Sequence, residues 1–239
     1  MKAVILGAGL GTRLQHLITN IPKVMVPFGG KPLLLHIIER LKVQGFNEFI
    51  VNLHYYPDVI TDFFGDGSKF GVSIQYSYEQ ELLESAGAIK KMEQWLTEDF
   101  VLIYGDTYFT IDVRELVKIK HTTNAFGVIS VKHTQHLSQA DVLEVDLATN
   151  RVIKTHSRPH NITELREGLY SSSPLYCWSS EILNFIPLDR KVHLDREIVP
   201  KLLEAGKILY ARPLREGETV IDVGKPDNYQ KVLELFGKQ

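Results

Sequence analysis

One cysteine, Cys177, stands among 239 residues, which excludes an internal disulfide. Its neighbours in PLYCWSS predict a small core thiol, not a nucleophile, and a chain at home in a reducing cytoplasm. Long apolar runs are also missing. No stretch approaches the roughly 18 apolar residues of a membrane span, and KAVIL at the start reads as a strand instead of a charged segment followed by a long apolar one. The expectation is a chain that is neither exported nor membrane-bound. Charge of one sign is lacking too: 27 basic residues face 29 acidic ones, net -2. That balance gives no field able to hold nucleic acid or a membrane, so an anionic ligand must be caught locally. Repeats, low-complexity tracts and Pro/Gly/Ser-rich linkers are absent, which predicts one domain over residues 1–239. With 44% hydrophobic residues, the chain can bury a real core.

What the chain does have is an alternation of strand-like and helix-like segments. KAVILG, EFIVNL, VSIQYSY and FVLIYGD read as strands. PLLLHIIERLKVQG, YPDVITDFF and AGAIKKMEQWL read as helices, the first with Pro at its start and Gly45 at its end. This order predicts an α/β fold with a mainly parallel sheet flanked by helices. Past residue 124 the short strands AFGVISV and DVLEVDL, parted by turns such as ATNR, predict an antiparallel excursion. Helices are expected again at about 179–186, 193–205 and 226–236, with strands KILYARP and TVIDV between them.

The first loop, GAGLGT, comes close to the G-x-G-x-x-G dinucleotide fingerprint but misses it, because Thr12 holds the position of the third glycine. Pro22 and Pro27 prevent a continuous helix after it. Its glycines let the amides from about Ala8 to Thr12 converge on one anion. Arg13 adds a planar, permanently charged fork for phosphate oxygens, and Lys23 follows in a Pro-bounded context that would hold its ammonium rigidly.

GAGLGTRL followed by PKVMVPFGGKPLLLHII resembles the signature of the sugar-1-phosphate nucleotidyltransferase family. So, in order, do FGDGSKFGVSIQYSYEQELLESAGAIKK, LIYGDTYF and VIDVGKPDNYQKV, and the likeness runs from Met1 to about residue 235. By length it is similar to the short members acting on heptose-, mannose- or N-acetylmuramate-1-phosphate. The resemblance implies a Rossmann-like fold whose halves, about 1–120 and 121–239, bind nucleotide and sugar. It also implies a reaction: NTP and a sugar-1-phosphate give NDP-sugar and pyrophosphate by in-line attack on the α-phosphorus, with positioning and charge neutralisation as the main demands.

Carried over position by position, the resemblance puts Leu6, Ala8, Gly9, Gly11, Thr12 and Arg13 around the nucleotide, with Arg13 on the leaving pyrophosphate. Lys23 would bridge the two phosphates. Asp106, at the end of a strand beside Gly105, and Asp222 would hold Mg²⁺, which keeps several waters and needs few protein oxygens. Arg13, Lys23 and Asp106 are the catalytic set. Glu79 falls where relatives have a base-reading glutamine, with Glu81 competing for the role. A carboxylate only accepts hydrogen bonds, which suits guanine's adjacent donors; the order expected is GTP first, then CTP or UTP. Ser85, Ala86 and Gly87 are small enough for ribose and base to pack close. On the sugar side Gly105, Ser157, Arg158 and Ser172 are the candidates. Here the sequence departs from the family: Ser157 replaces an acidic residue, Ser172 an asparagine, Pro174 a glycine and Tyr104 the asparagine of N-G-D.

Two other readings stand beside this one. The departures in the sugar segment keep alive a regulatory homologue that binds nucleotide-sugar without turnover, while a nicotinamide-dependent oxidoreductase rests on the glycine loop alone. A homodimer is compatible with the sequence. His156 and His160, spaced four apart around Pro159, are expected to be loop or surface residues and not a zinc pair, as are His133 and His136. Trp95 and Trp178 are expected to fill core.

Overall fold

The structure is a computed structural model describing residues 1–9, 11, 21–134, 138, 140–162, 164–224 and 226–237. The chain begins with strand β1 (Lys2–Leu6), then the short hairpin β2 (Pro27–Phe28) and β3 (Lys31–Pro32), helix α1 (Leu33–Val43) and β4 (Glu48–Leu53). Next come α2 (Pro57–Phe64), β5 (Ser73–Tyr78), α3 (Glu84–Lys91), β6 (Phe100–Tyr104), β7 (Thr107–Phe109) and α4 (Arg114–Thr123). Strands β8 (Gly127–Lys132), β9 (Val142–Val145), β10 (Val152–His156) and β11 (Leu169–Trp178) follow, then α5 (Val199–Glu204), β12 (Leu209–Pro213), β13 (Val220–Asp222) and α6 (Pro226–Gly237). The strand–helix alternation through β6 is the one expected from the sequence.

The residues gather into two compact units. The first comprises Met1–Leu82, Leu102–Ile111 and Glu218–Gln239. Its sheet runs in the order β6-β1-β4-β5, with β1/β4 and β4/β5 parallel. The near-continuous burial of β1 and β4 reflects helices on the faces of a parallel sheet. Pro32 leads into α1, whose buried stripe is Leu33, Leu34, Leu35, Ile37, Ile38 and Leu41. Gly45, at φ 92°, stops the helix in a backbone conformation that other residues adopt only under strain.

The second unit comprises Leu83–Val101 and Asp112–Gly217. Here the antiparallel excursion is realised: β9 pairs antiparallel with β10 and with β11, and β11 pairs antiparallel with β8. Strand β12 joins β8 in parallel. Trp178 is fully buried, stacked on Tyr176 at 5.9 Å, and Gly127 leaves the space its ring occupies, since a Cβ there would lie 2.2 Å from it. Trp95 is half-buried. Cys177 is fully buried, and burial pushes its thiol up to about 12, which makes it the inert core thiol expected.

Several elements differ from their sequence reading. The helix expected over AGAIKKMEQWL ends at Lys91 and gives way to a 3₁₀ turn, Glu93–Trp95. Residues Ser180–Phe185 form a 3₁₀ turn, and the helix expected over 193–205 opens with a π turn, Leu194–Ile198, before Pro200, which has no amide to donate, sits in the first turn of α5. Helix α4 hid because its buried face carries Lys120, paired with Asp99 at 2.6 Å. Strand β11 hid because Ser171 and Ser173 are buried within it and break the apolar alternation. Among the described residues no helix is long and apolar enough to cross a membrane.

Candidate functional site

Strand β1 delivers the chain to Gly7, whose N–H donates to Asn52 Oδ1 at 2.6 Å. Asn52 Nδ2 in turn donates to Glu79 Oε1 at 2.5 Å, and both side chains are buried, 3% and 1% exposed. His54 Nδ1 donates to the Glu79 carbonyl at 2.9 Å, so the segment after β5 is held at two points. Glu79 is therefore not a solvated strand residue. Before Gly7, Leu6 is half-buried; beyond it Ala8 is buried and Gly9 exposed, with open space where a Gly9 Cβ would stand. Gly11 has φ 62°, the left-handed region its lack of a side chain permits. Thr12 and Arg13 lie outside the described residues.

Across the carboxyl end of the first unit's sheet, Lys23 opens a 3₁₀ turn directly after Pro22. Its ammonium donates to Asp106 Oδ2 and lies 3.4 Å from Asp222 Oδ1, with the three side chains 13%, 29% and 40% exposed. Asp106 follows β6 through Gly105, whose N–H donates to the Leu6 carbonyl at 2.8 Å. A Cβ at Gly105 would come within 2.8 Å of that carbonyl and of Val24, so only glycine allows β6 to close against β1 at this point. Asp222 is brought in by β13, which pairs antiparallel with β7 and sets Asp222 against Thr107, the residue after Asp106. Gly224 N–H donates to Asp222 Oδ1 at 2.7 Å, and Asn228 Nδ2 holds the Asp222 carbonyl at 2.8 Å.

Two carboxylates meeting at one ammonium make a local excess of negative charge that attracts a further cation. Among the described residues no group of three or more His, Cys, Asp or Glu side chains could hold a metal ion. A pair of hard oxygens fits Mg²⁺, which retains waters, better than it fits a metal needing a full protein cage.

In the second unit Ser85, Ala86 and Gly87 face their own chain. Ser85 Oγ accepts from Leu194 N–H at 2.9 Å, and the amides of Ala86 and Gly87 donate to the Val192 carbonyl at 2.9 and 3.3 Å. A Cβ at Gly87 would lie 2.4 Å from the Arg190 carbonyl, which accounts for the glycine. Ser157 and Ser172 line one pocket together with Asp141, His156 and Asp195. Asp141 accepts the Arg158 amide at 2.9 Å and the Arg196 guanidinium at 3.0 Å. Burial pushes the Asp141 carboxyl up, but the bonds from Arg158 and Arg196 outweigh it and hold it below the usual range. Asp195 shows the opposite outcome. Burial dominates and raises it, although the Tyr176 hydroxyl donates to both its oxygens at 3.0 and 3.1 Å.

His160 donates Nε2–H to the Ala140 carbonyl at 2.9 Å, and the His156 and His160 rings stand 6.5 Å apart. His133 lies against Tyr170, while His136 is outside the described residues. Sequence reasoning missed Asn52, Asp141 and Asp195. Asn52 carried a signal, a polar residue inside the apolar run EFIVNL; the two aspartates carried none.

Residues 2–238 match the family model described as nucleotidyl transferase. The chain is 32% identical to the D-glycero-alpha-D-manno-heptose 1-phosphate guanylyltransferase of Campylobacter jejuni, over 98% of this chain and 99% of that one. It is 29% identical to the UTP--glucose-1-phosphate uridylyltransferase of Synechocystis sp., where all of this chain spans 64% of the relative's length. Among solved structures, HddC from Yersinia pseudotuberculosis complexed with GMP-PN superposes with a TM-score of 0.77 at 27% identity, over 98% and 99% of the two chains.

Proposed function

Because the chain belongs to the nucleotidyl transferase family, we propose that it converts an NTP, GTP before others, and a sugar-1-phosphate of heptose or mannose type into NDP-sugar and pyrophosphate. The observation that carries this reading is the meeting of Asp106, Lys23 and Asp222 at the carboxyl edge of the first unit's sheet, where ligands bind in open α/β sheets. A phosphate oxygen of the sugar-1-phosphate attacks the α-phosphorus and forms a new P–O bond. The bond from the α-phosphorus to the bridging oxygen breaks, and that electron pair leaves on pyrophosphate. No residue acts as a covalent nucleophile, so the chain's part is to place two polyanions and offset their charge.

On this reading the amides of the loop through Ala8, Gly9 and Gly11 bind the triphosphate, and Arg13 and Thr12 belong with them. Lys23 supplies a fixed positive charge toward the reacting phosphates, its stem held by the turn after Pro22. Asp106 and Asp222 would hold Mg²⁺, which when bound neutralises triphosphate charge. In the second unit Ser157 and Ser172 are the hydroxyls proposed for the sugar, and Arg158 and Arg196 hold the neighbouring Asp141 carboxyl below its usual range. The preference for GTP draws support from the end-to-end match to a guanylyltransferase. A cytoplasmic setting, where nucleoside triphosphates are at hand, belongs to the same reading.

The test is pyrophosphate release with Mg²⁺ across GTP, CTP, UTP, dTTP and ATP, each against hexose-, heptose- and amino-sugar-1-phosphates. Turnover with one pair, lost in Asp106→Ala, supports the reading. Tight nucleotide binding with silence across the panel favours the regulatory homologue.

A further inference from the structure

Strand β4 is buried at every position after Glu48, yet its fifth residue is Asn52. The two bonds of that side chain leave it one orientation. The Gly7 N–H can only donate, which draws Oδ1 to its side, and the opposite Nδ2 then faces a carboxylate, which can only accept. Burial makes either bond costly to lose, because no water replaces it. The residues it links end three adjacent strands of the first unit: Gly7 follows β1, Asn52 lies in β4 and Glu79 follows β5, in the sheet order β1-β4-β5. The relay thus crosses the carboxyl edge of the sheet, starting at the first residue of the glycine loop.

We propose that Asn52 is the positioning residue of that loop and that Glu79 acts through it. The carboxylate aims the amide, the amide fixes the Gly7 peptide, and that peptide sets the direction in which the following residues present their N–H groups to a triphosphate. This rests on the nucleotidyltransferase reading above. Glu79, 1% exposed, then governs affinity for every nucleotide alike instead of choosing among bases. Polarity is the essential property: a donor on one residue must face an acceptor on the other, with an acceptor left for Gly7.

The experiment is a fluorescence titration of the full chain with mant-GTP and mant-UTP in Mg²⁺, with no sugar phosphate present. Asn52→Asp sets two carboxylates face to face and should weaken both nucleotides by about tenfold or more, in equal measure, as loss of a buried bond does. Glu79→Gln keeps an acceptor for Asn52 and should weaken both by no more than about threefold, leaving the ratio of GTP to UTP affinity as it was. The double variant Asn52→Asp/Glu79→Gln restores the relay with its polarity reversed. The new carboxylate on β4 would accept both from the Gly7 N–H and from the new amide after β5, at unchanged net charge, and affinity should return to within a few-fold of wild type. If Asn52→Asp does not fold, the double variant still decides. The relay is overturned if the double variant binds no better than Asn52→Asp or weakly on its own, or if Glu79→Gln alone alters the GTP-to-UTP ratio. A wild-type chain that binds neither nucleotide overturns the underlying reading, and the relay's purpose with it.

Discussion

Gly224 stands where any side chain would meet Lys23: a Cβ there would lie 1.9 Å from the ammonium nitrogen and 2.5 Å from the carbon before it. The glycine makes room for the charge that Asp106 and Asp222 share. Because the obstructed atoms are the free end of a flexible side chain, Gly224→Ala should push the ammonium aside and leave the fold standing. Thermal melting within about 2 °C of wild type, beside a turnover reduced by roughly tenfold or more, is the expected pair of results. Full activity would show that the ammonium need not occupy this position.

Lys23→Ala removes the charge altogether. Its turnover should fall by roughly 10²-fold or more, as happens when one preorganised charge is lost elsewhere. Steady-state kinetics with the favoured substrate pair measures this, and an undiminished rate would take Lys23 out of the mechanism.

Asp222→Asn keeps the shape of the side chain and the Gly224 contact but removes a charge from the pair facing the cation. Activity should then need markedly more Mg²⁺, seen as a right-shifted metal titration. A superimposable titration would move the metal elsewhere.

The Asp141 carboxyl is held below its usual range by Arg158 and Arg196 despite burial. A folded-state pKa below the unfolded one means that its stabilisation is present above the unfolded value, about 3.9, and is lost as pH falls through the lowered folded value. Urea denaturation of wild type and Asp141→Asn should therefore differ by a constant amount at about pH 6 to 8, begin to converge below about pH 4 and meet only below the lowered folded value. A gap that persists at the acid end would assign the effect to packing.

Gly127→Ala places a Cβ 2.2 Å from the Trp178 ring, in a part of the core where the ring is fully buried. Overpacking of this kind costs about 1–3 kcal/mol. The midpoint of urea denaturation should fall accordingly, and an unchanged midpoint would mean that β8 and the ring can part without loss.

The alternation of apolar strands and amphipathic helices up to β6 was legible because hydrophobic period is a local property, carried by each segment whatever its neighbours do. Lys23, Asp106 and Asp222 were singled out by the family resemblance of the short motifs that contain them, and the structure brings their side chains together. Helix α4 and strand β11 were harder to read. Their buried faces include Lys120 and Ser171, polar groups that make sense only once Asp99 and the Lys132 carbonyl, from elsewhere in the chain, satisfy them.

By itself, then, the sequence determined the strand–helix alternation up to β6, the parallel sheet, the inert thiol and the glycines that bring chain close to chain. Folding alone decided that Asp222 reaches Asp106 through the β7–β13 pair, that Glu79 is buried on Asn52, and that Asp141 and Asp195, in one pocket, have their ionisation shifted in opposite directions. These outcomes depend on which distant donors and charges surround a group and how much water is left beside it. Neither quantity is a property of the residues next to it in the chain.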